Sequence, residues 1–229
     1  MEKAAAFYSR IRAASALNTF SIVDDYFPFY YTLDLYRGCT GGCIYCPGSR
    51  DLFQNPALIE NFFELAKLQF PGIRSNALVG VGGGLNDVGA ARPLYPDYLS
   101  SVLRSLKKIP ARPFIVTKSA EIVKEKRLLS PDKSGGRSVV CMSFCAPDDC
   151  MAGDLEPQVS RPSERFSALA ELAACGISTG ICYMPVIPGF TDLENDANLL
   201  FKIAAQNGAR FVLFNMLSLS PSGNIFFFK

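Results

Sequence analysis

Short apolar runs rich in β-branched and aromatic residues alternate along this chain with longer stretches whose apolar positions recur at helical spacing. Tyr30 to Tyr36 predicts a first strand and Pro56 to Gln69 a first helix. Asn76 to Val81 and Pro96 to Lys108 make a second pair, and Phe114 to Thr117 and Ala120 to Leu129 a third. Ser138 to Phe144 predicts the fourth strand, after the turn-forming residues Pro131 to Gly136. Ser163 suits the N-cap of a helix that runs to Ala174, with Gly176 at its C-terminal stop. Ile177 to Met184 predicts the fifth strand, Asp192 to Asn207 a helix closed by Gly208, and Arg210 to Phe214 the sixth strand. Strands alternating with helices in this way predict an α/β fold with a parallel sheet and right-handed crossovers. The reading is of one domain over 1–229, with a helical lead-in over 1–29, the six units over 30–214 and a short tail over 215–229.

Composition narrows the chemistry. The 229 residues are 49% apolar and 12% aromatic with a formal charge of +2, which suits a soluble globular protein of the cytoplasm. Met1 to Phe20 carries Glu2, Lys3, Arg10 and Arg12 among its alanines, so it predicts a surface helix and not a secretory signal. No apolar run approaches the ~18 residues of a membrane span. The charge gives no electrostatic case for a nucleic-acid partner. With no histidine anywhere, a Ser-His-Asp triad, a histidine general base and His-ligated zinc or haem are all excluded.

The candidate chemistry lies in Cys39, Cys43 and Cys46, spaced Cys-x3-Cys-x2-Cys among Gly38, Gly41 and Gly42. A four-iron cluster kept for electron transfer takes four thiolates, so a compact trio leaves one iron open to a small molecule. The glycines suit a loop wrapped closely round a cluster. Zinc is the competing reading, with Cys145 or Cys150 as a fourth ligand of a non-catalytic module. Cys141 and Cys145 share the parity of Ser143 on an ideal strand. Together with Cys150 and Cys182 they are either buried small hydrophobes, hydrogen-atom donors or ligands of an auxiliary cluster.

The spacing, with Tyr45 just before the last cysteine, resembles the signature of the radical S-adenosylmethionine (SAM) superfamily. Further pieces are similar to its spore photoproduct lyase-like branch, which includes proteins labelled DNA repair photolyases. These are Tyr36 to Cys39, Thr117-Lys118-Ser119, Ser143, Leu155-Glu156-Pro157, Arg165, Gly176-Ile177 and Pro185 to Asp192. The resemblance implies a partial (β/α)6 TIM-like barrel with a [4Fe-4S] cluster on Cys39, Cys43 and Cys46 and SAM on the open iron. It implies reductive cleavage of SAM to a 5′-deoxyadenosyl radical that takes hydrogen from a substrate, and a flavodoxin or ferredoxin as electron donor. It also implies that Lys118 faces the SAM carboxylate, Ser143 the ribose, and Tyr45, Ile187 and Pro188 the adenine. Gly82, Gly83, Gly84 and Asn86, with Asp87, then border the amino group.

The chain departs from the branch on the substrate side. Gly42 and Pro47 stand where relatives usually have histidine and an aromatic residue, and Asn86-Asp87-Val88-Gly89 replaces a Thr-Asp-Pro-Tyr stretch. Near Arg92 a family glutamate is replaced, and little follows the sixth strand. Thymine-dimer repair is therefore not carried over. The substrate is unassigned, with DNA or nucleotide repair as an alternative.

Overall fold

Val139–Phe144 buries all six of its residues, as a strand does when both faces of its sheet are covered. It is an inner strand of the sheet in a computed structural model that describes residues 9–19, 27–46, 56–82, 86–89, 97–131 and 138–218. Ten strands are described: β1 (Arg10–Ile11), β2 (Leu17–Thr19), β3 (Tyr31–Leu33), β4 (Tyr36–Arg37), β5 (Ala57–Ile59), β6 (Leu78–Val81), β7 (Arg112–Thr117), β8 (Val139–Phe144), β9 (Ser178–Val186) and β10 (Val212–Met216). The described helices are α1 (Phe62–Gln69), α2 (Tyr98–Leu106), α3 (Lys126–Leu129), α4 (Asp149–Leu155), α5 (Pro162–Ala174) and α6 (Glu194–Gln206).

The main sheet runs β10-β9-β8-β7-β6-β3-β2. Its first six members pair in parallel, and β2 adds an antiparallel edge. The α/β architecture and the six parallel strands in sequential order follow the sequence pattern. A smaller sheet, β1-β5-β4, lies beside it. Helices pack on the outer face, where Leu99, Leu103 and Leu106 of α2 and Leu169 and Leu172 of α5 meet Ile115, Val140, Met142 and Ile181. Phe144 stacks on Phe166 at 4.5 Å. On the inner face Phe29, Phe114, Val139, Cys141 and Cys182 form a separate apolar cluster.

Several expectations are corrected. In the described part of the lead-in, 9–19, there are two strands and no surface helix. Arg10 and Ile11 pair with Leu58 and Ile59, and 17–19 pairs with 31–33, so long-range ladders override local helical propensity. The expected helix Pro56 to Gln69 begins as strand, because Ala57, Leu58 and Ile59 are all buried between two partners. Ala120 to Leu129 is a 3-10 segment followed by the single turn of α3.

Helix α4, absent from the elements predicted above, carries Cys150. It is started by Asp148, whose carboxylate accepts from the backbone N–H of Cys150 at 3.0 Å and Met151 at 2.9 Å. Arg161, not Ser163, is the N-cap of α5. Its N–H donates to Glu164 at 2.7 Å, while Ser163 donates from its hydroxyl to Asp149 at 2.7 Å. The tail from 219 onward lies outside the described residues.

Gly180 in β9 lets Phe211 close the inner face, since a Cβ there would lie 2.6 Å from the Phe211 ring. Gly180→Ala therefore overpacks this region, and denaturant unfolding is expected to show a loss of about 1–3 kcal/mol.

Candidate functional site

The parallel strands deliver their C-terminal ends to one cavity of about 350 Å³. Cys39, Cys43, Tyr45 and Cys46 border it from the loop after β4, Asn86 and Asp87 from the stretch after β6, and Lys118 from the end of β7. Ser143 comes from β8, Cys182 and Met184 from β9, and Asn215 to Ser218 from β10 and the residues after it. Phe27, Val116 and Val159 make much of the remaining wall apolar.

The cysteine loop turns through Gly38 and Gly42, at φ 83° and 62°, a region that costs L-residues about 1 kcal/mol or more. Two of its thiols lie close to the position a side chain at Gly41 would take. A Cβ on Gly41 would lie 3.3 Å from Cys39 Sγ, 3.7 Å from Cys43 Sγ and 3.0 Å from Val159 Cγ1. Burial, then the charge of Asp87, raises the Cys39 thiol to about 11. Burial lifts Cys43 to about 12, with Lys118 opposing and Glu156 reinforcing the shift.

Such thiols become thiolates when a metal centre supplies positive charge. Among the described residues, no three His, Cys, Asp or Glu side chains converge on one metal ion. A four-iron cluster takes thiolate ligands, and the three thiols that border the cavity have the chemistry that would suit one.

Behind the thiols lies a buried polar network. The Tyr45 hydroxyl donates to Glu156 Oε1, and Arg165 Nη2 donates to Glu156 Oε2. Lys118 Nζ stands 3.7 Å from Glu156 Oε1, donates to Ser143 Oγ at 2.7 Å, and lies 5.8 Å from the Tyr45 ring centroid. Arg165, 1% exposed, also donates to the carbonyls of Ser160 at 2.6 Å and Ser143 at 2.7 Å. Burial alone would raise the Glu156 carboxyl, but Lys118 and Arg165 hold it below its ordinary value. Burial likewise disfavours the Lys118 ammonium, and the charge of Glu156 more than restores it.

Asp87 accepts from the Lys118 N–H at 2.6 Å and fixes the end of β7 against the stretch after β6. Asn86 donates to the Tyr36 carbonyl at 3.1 Å, while its buried Oδ1 has no partner among the described residues. That orphaned acceptor would lie 3.1 Å from a Cβ on Gly82, whose φ is 69°.

Of the residues singled out in the sequence, Cys39, Cys43, Cys46, Tyr45, Asn86, Lys118 and Ser143 meet at the cavity, and Gly82 adjoins Asn86. Ile187 is buried beside Tyr45 and Cys145, behind the wall, and Pro188 is exposed in the following turn. Neither borders the cavity. Gly83 and Gly84 lie outside the described residues. Among the other cysteines only Cys182 reaches the wall; Cys141 is in the inner cluster below, and Cys150 is exposed. Sequence reasoning gave no role to Asp87 beyond a border, to Glu156 or Arg165, or to Asn215. A charged residue between Leu155 and Pro157 was the available signal for Glu156.

No family model matches the chain. By sequence it is similar to an uncharacterized protein of Mycobacterium tuberculosis H37Rv, 23% identical over 202 residues that cover 82% of this chain and 59% of that protein. The chain thus spans less than two thirds of that relative's length. By structure it resembles a spore photoproduct lyase mutant with bound AdoMet and dinucleoside spore photoproduct, at a TM-score of 0.66 and 18% identity, over 86% of this chain and 59% of the other. It also resembles anSMEcpe with bound AdoMet, at a TM-score of 0.56 and 14% identity, over 82% and 51%. The chain shares its α/β fold with both of these AdoMet-bound proteins.

Arg165→Ala leaves the Glu156 carboxylate buried with one cation fewer. Unfolding of the metal-free protein is expected to show a loss of about 3–5 kcal/mol.

Proposed function

We propose that the chain is a radical SAM enzyme built on a partial (β/α)6 barrel, with Cys39, Cys43 and Cys46 holding a [4Fe-4S] cluster. The observation that carries this reading is that all three thiols border one cavity together with Lys118, Ser143 and Asn86. When bound, the cluster supplies the electron that divides SAM into methionine and a 5′-deoxyadenosyl radical able to abstract hydrogen.

The chain's own residues bind and orient. Lys118 offers a point charge to a carboxylate, having a third N–H beyond those directed at Ser143 and Glu156. The Asn86 amide oxygen, without a partner among the described residues, suits an ammonium donor. Ser143 Oγ stands beside both Lys118 Nζ and the Met184 carbonyl, 3.4 Å away, and suits a ribose hydroxyl. Phe27, Val116, Val159 and Met184 exclude water from the reacting centre. A low-potential flavodoxin or ferredoxin delivers the electron in a reducing cytoplasm, and the net reaction is of the lyase or transferase type.

A second reading, repair of a DNA or nucleotide lesion, is favoured by the greater likeness to the photoproduct lyase than to anSMEcpe, TM-scores 0.66 and 0.56. Selective conversion of damaged DNA supports it, and equal indifference to damaged and intact DNA removes it.

Anaerobic reconstitution is expected to yield about four irons with matching acid-labile sulfide per chain, and dithionite should then release 5′-deoxyadenosine from SAM. Cys43→Ala is expected to lose both, and Cys145→Ala to keep the irons. One zinc per chain, or four irons without SAM cleavage, would contradict the reading.

A further inference from the structure

The cysteine loop is seated on residues 155–159. The Ile44 N–H donates to the Leu155 carbonyl at 3.0 Å, and the Gln158 N–H donates to the Gly41 carbonyl at 3.3 Å. Val159 presses on the Gly41 cradle. In the middle of this platform stands Glu156, 3% exposed, whose two oxygens meet groups from three separate segments. Tyr45 comes from the loop that carries the thiols, Lys118 from the end of β7, and Arg165 from α5.

The three contacts are not equivalent. Tyr45 is neutral and needs only an acceptor, so an amide oxygen in place of the carboxylate could still receive its proton. Lys118 and Arg165 need the negative charge, because two cations around a neutral group in a water-poor interior repel each other. Without that charge the ammonium of Lys118 keeps the Ser143 hydroxyl, the Tyr45 ring and the lesser pull of Asp87, and has reason to move toward solvent. A single carboxylate thus serves the loop by hydrogen bonding and the ammonium by charge.

We infer that Glu156 is a positioning residue that couples the two halves of the site, holding the cysteine loop through Tyr45 in register with the ligand-facing ammonium of Lys118. The ligand half of this inference rests on the SAM reading above; the loop half does not. It follows that the two halves respond differently to loss of the hydroxyl and to loss of the charge.

The test uses Tyr45→Phe and Glu156→Gln with two readouts. The first is labelling of Cys39, Cys43 and Cys46 by N-ethylmaleimide in the metal-free full chain, resolved by peptide mass spectrometry. The second is calorimetric affinity of the anaerobically reconstituted protein for SAM and for 5′-methylthioadenosine, which lacks the carboxylate.

Tyr45→Phe is expected to speed labelling about tenfold, the factor that ~1.4 kcal/mol of lost anchoring gives, while preference for SAM over methylthioadenosine persists. Glu156→Gln is expected to lose most of that preference, and Glu156→Asp to restore part of it. Unchanged labelling in Tyr45→Phe, or an unchanged preference in Glu156→Gln, overturns the coupling even where the wild type cleaves SAM. If Glu156→Gln does not fold, the labelling of Tyr45→Phe decides. A wild type that binds neither cluster nor SAM instead defeats the enzymatic reading and, with it, the ligand half, while the labelling rates still judge the loop half.

Discussion

A carboxylate cut off from water must be met by charge and hydrogen bonds or it will not remain ionised, and Glu156 imposes that requirement on everything around it. Lys118 and Arg165 answer it with charge and Tyr45 with a hydroxyl. Arg165 passes the constraint on, because its remaining donors hold the Ser143 and Ser160 carbonyls. Through these contacts the end of β7, the end of β8, the start of α5 and the cysteine loop share one fixed point. The cavity keeps its shape because its polar wall is anchored from behind, leaving the front to thiols, an ammonium and an amide oxygen.

The parallel sheet makes this convergence possible. Strands that run in one direction bring all their C-terminal ends to the same side, so residues far apart in sequence, from Cys39 to Ser218, line one space. The interior below is closed by Phe29, Phe114 and Phe211, with Gly80 and Gly180 making room for the rings. The cavity wall includes Asn86, one of the residues that depart from the spore photoproduct lyase-like branch. A fold shared at 14–18% identity fixes the scaffold and leaves the reaction to those residues.

Much of this was legible in the sequence because it depends on local pattern. The six parallel strands follow from apolar periodicity, and Cys39, Cys43 and Cys46 from spacing alone. Lys118 and Ser143 were singled out by the resemblance to the spore photoproduct lyase-like branch, in the motif Thr117-Lys118-Ser119 and at Ser143. What was not legible depends on long-range pairing. Ala57 to Ile59 reads as helix until its two strand partners are known, and 9–19 does the same. Helix α4 was hidden because Asp148 and Asp149 suggest a turn, and one of them is in fact its cap. Ile187 and Pro188 were drawn toward the adenine by resemblance, yet β9 continues to Val186 and carries them past the cavity. Glu156 was quoted as part of a motif without a task, since nothing in one dimension reveals that three donors will meet it.

Under the proposed function, three thiols would leave one iron of a cluster open to a small molecule. Electron paramagnetic resonance of the dithionite-reduced, reconstituted protein, recorded with and without SAM, addresses this most directly. The account predicts the signal of one reduced four-iron cluster whose g-values change when SAM is added. A cluster signal that SAM leaves untouched, or fully reconstituted material with no such signal, would contradict it.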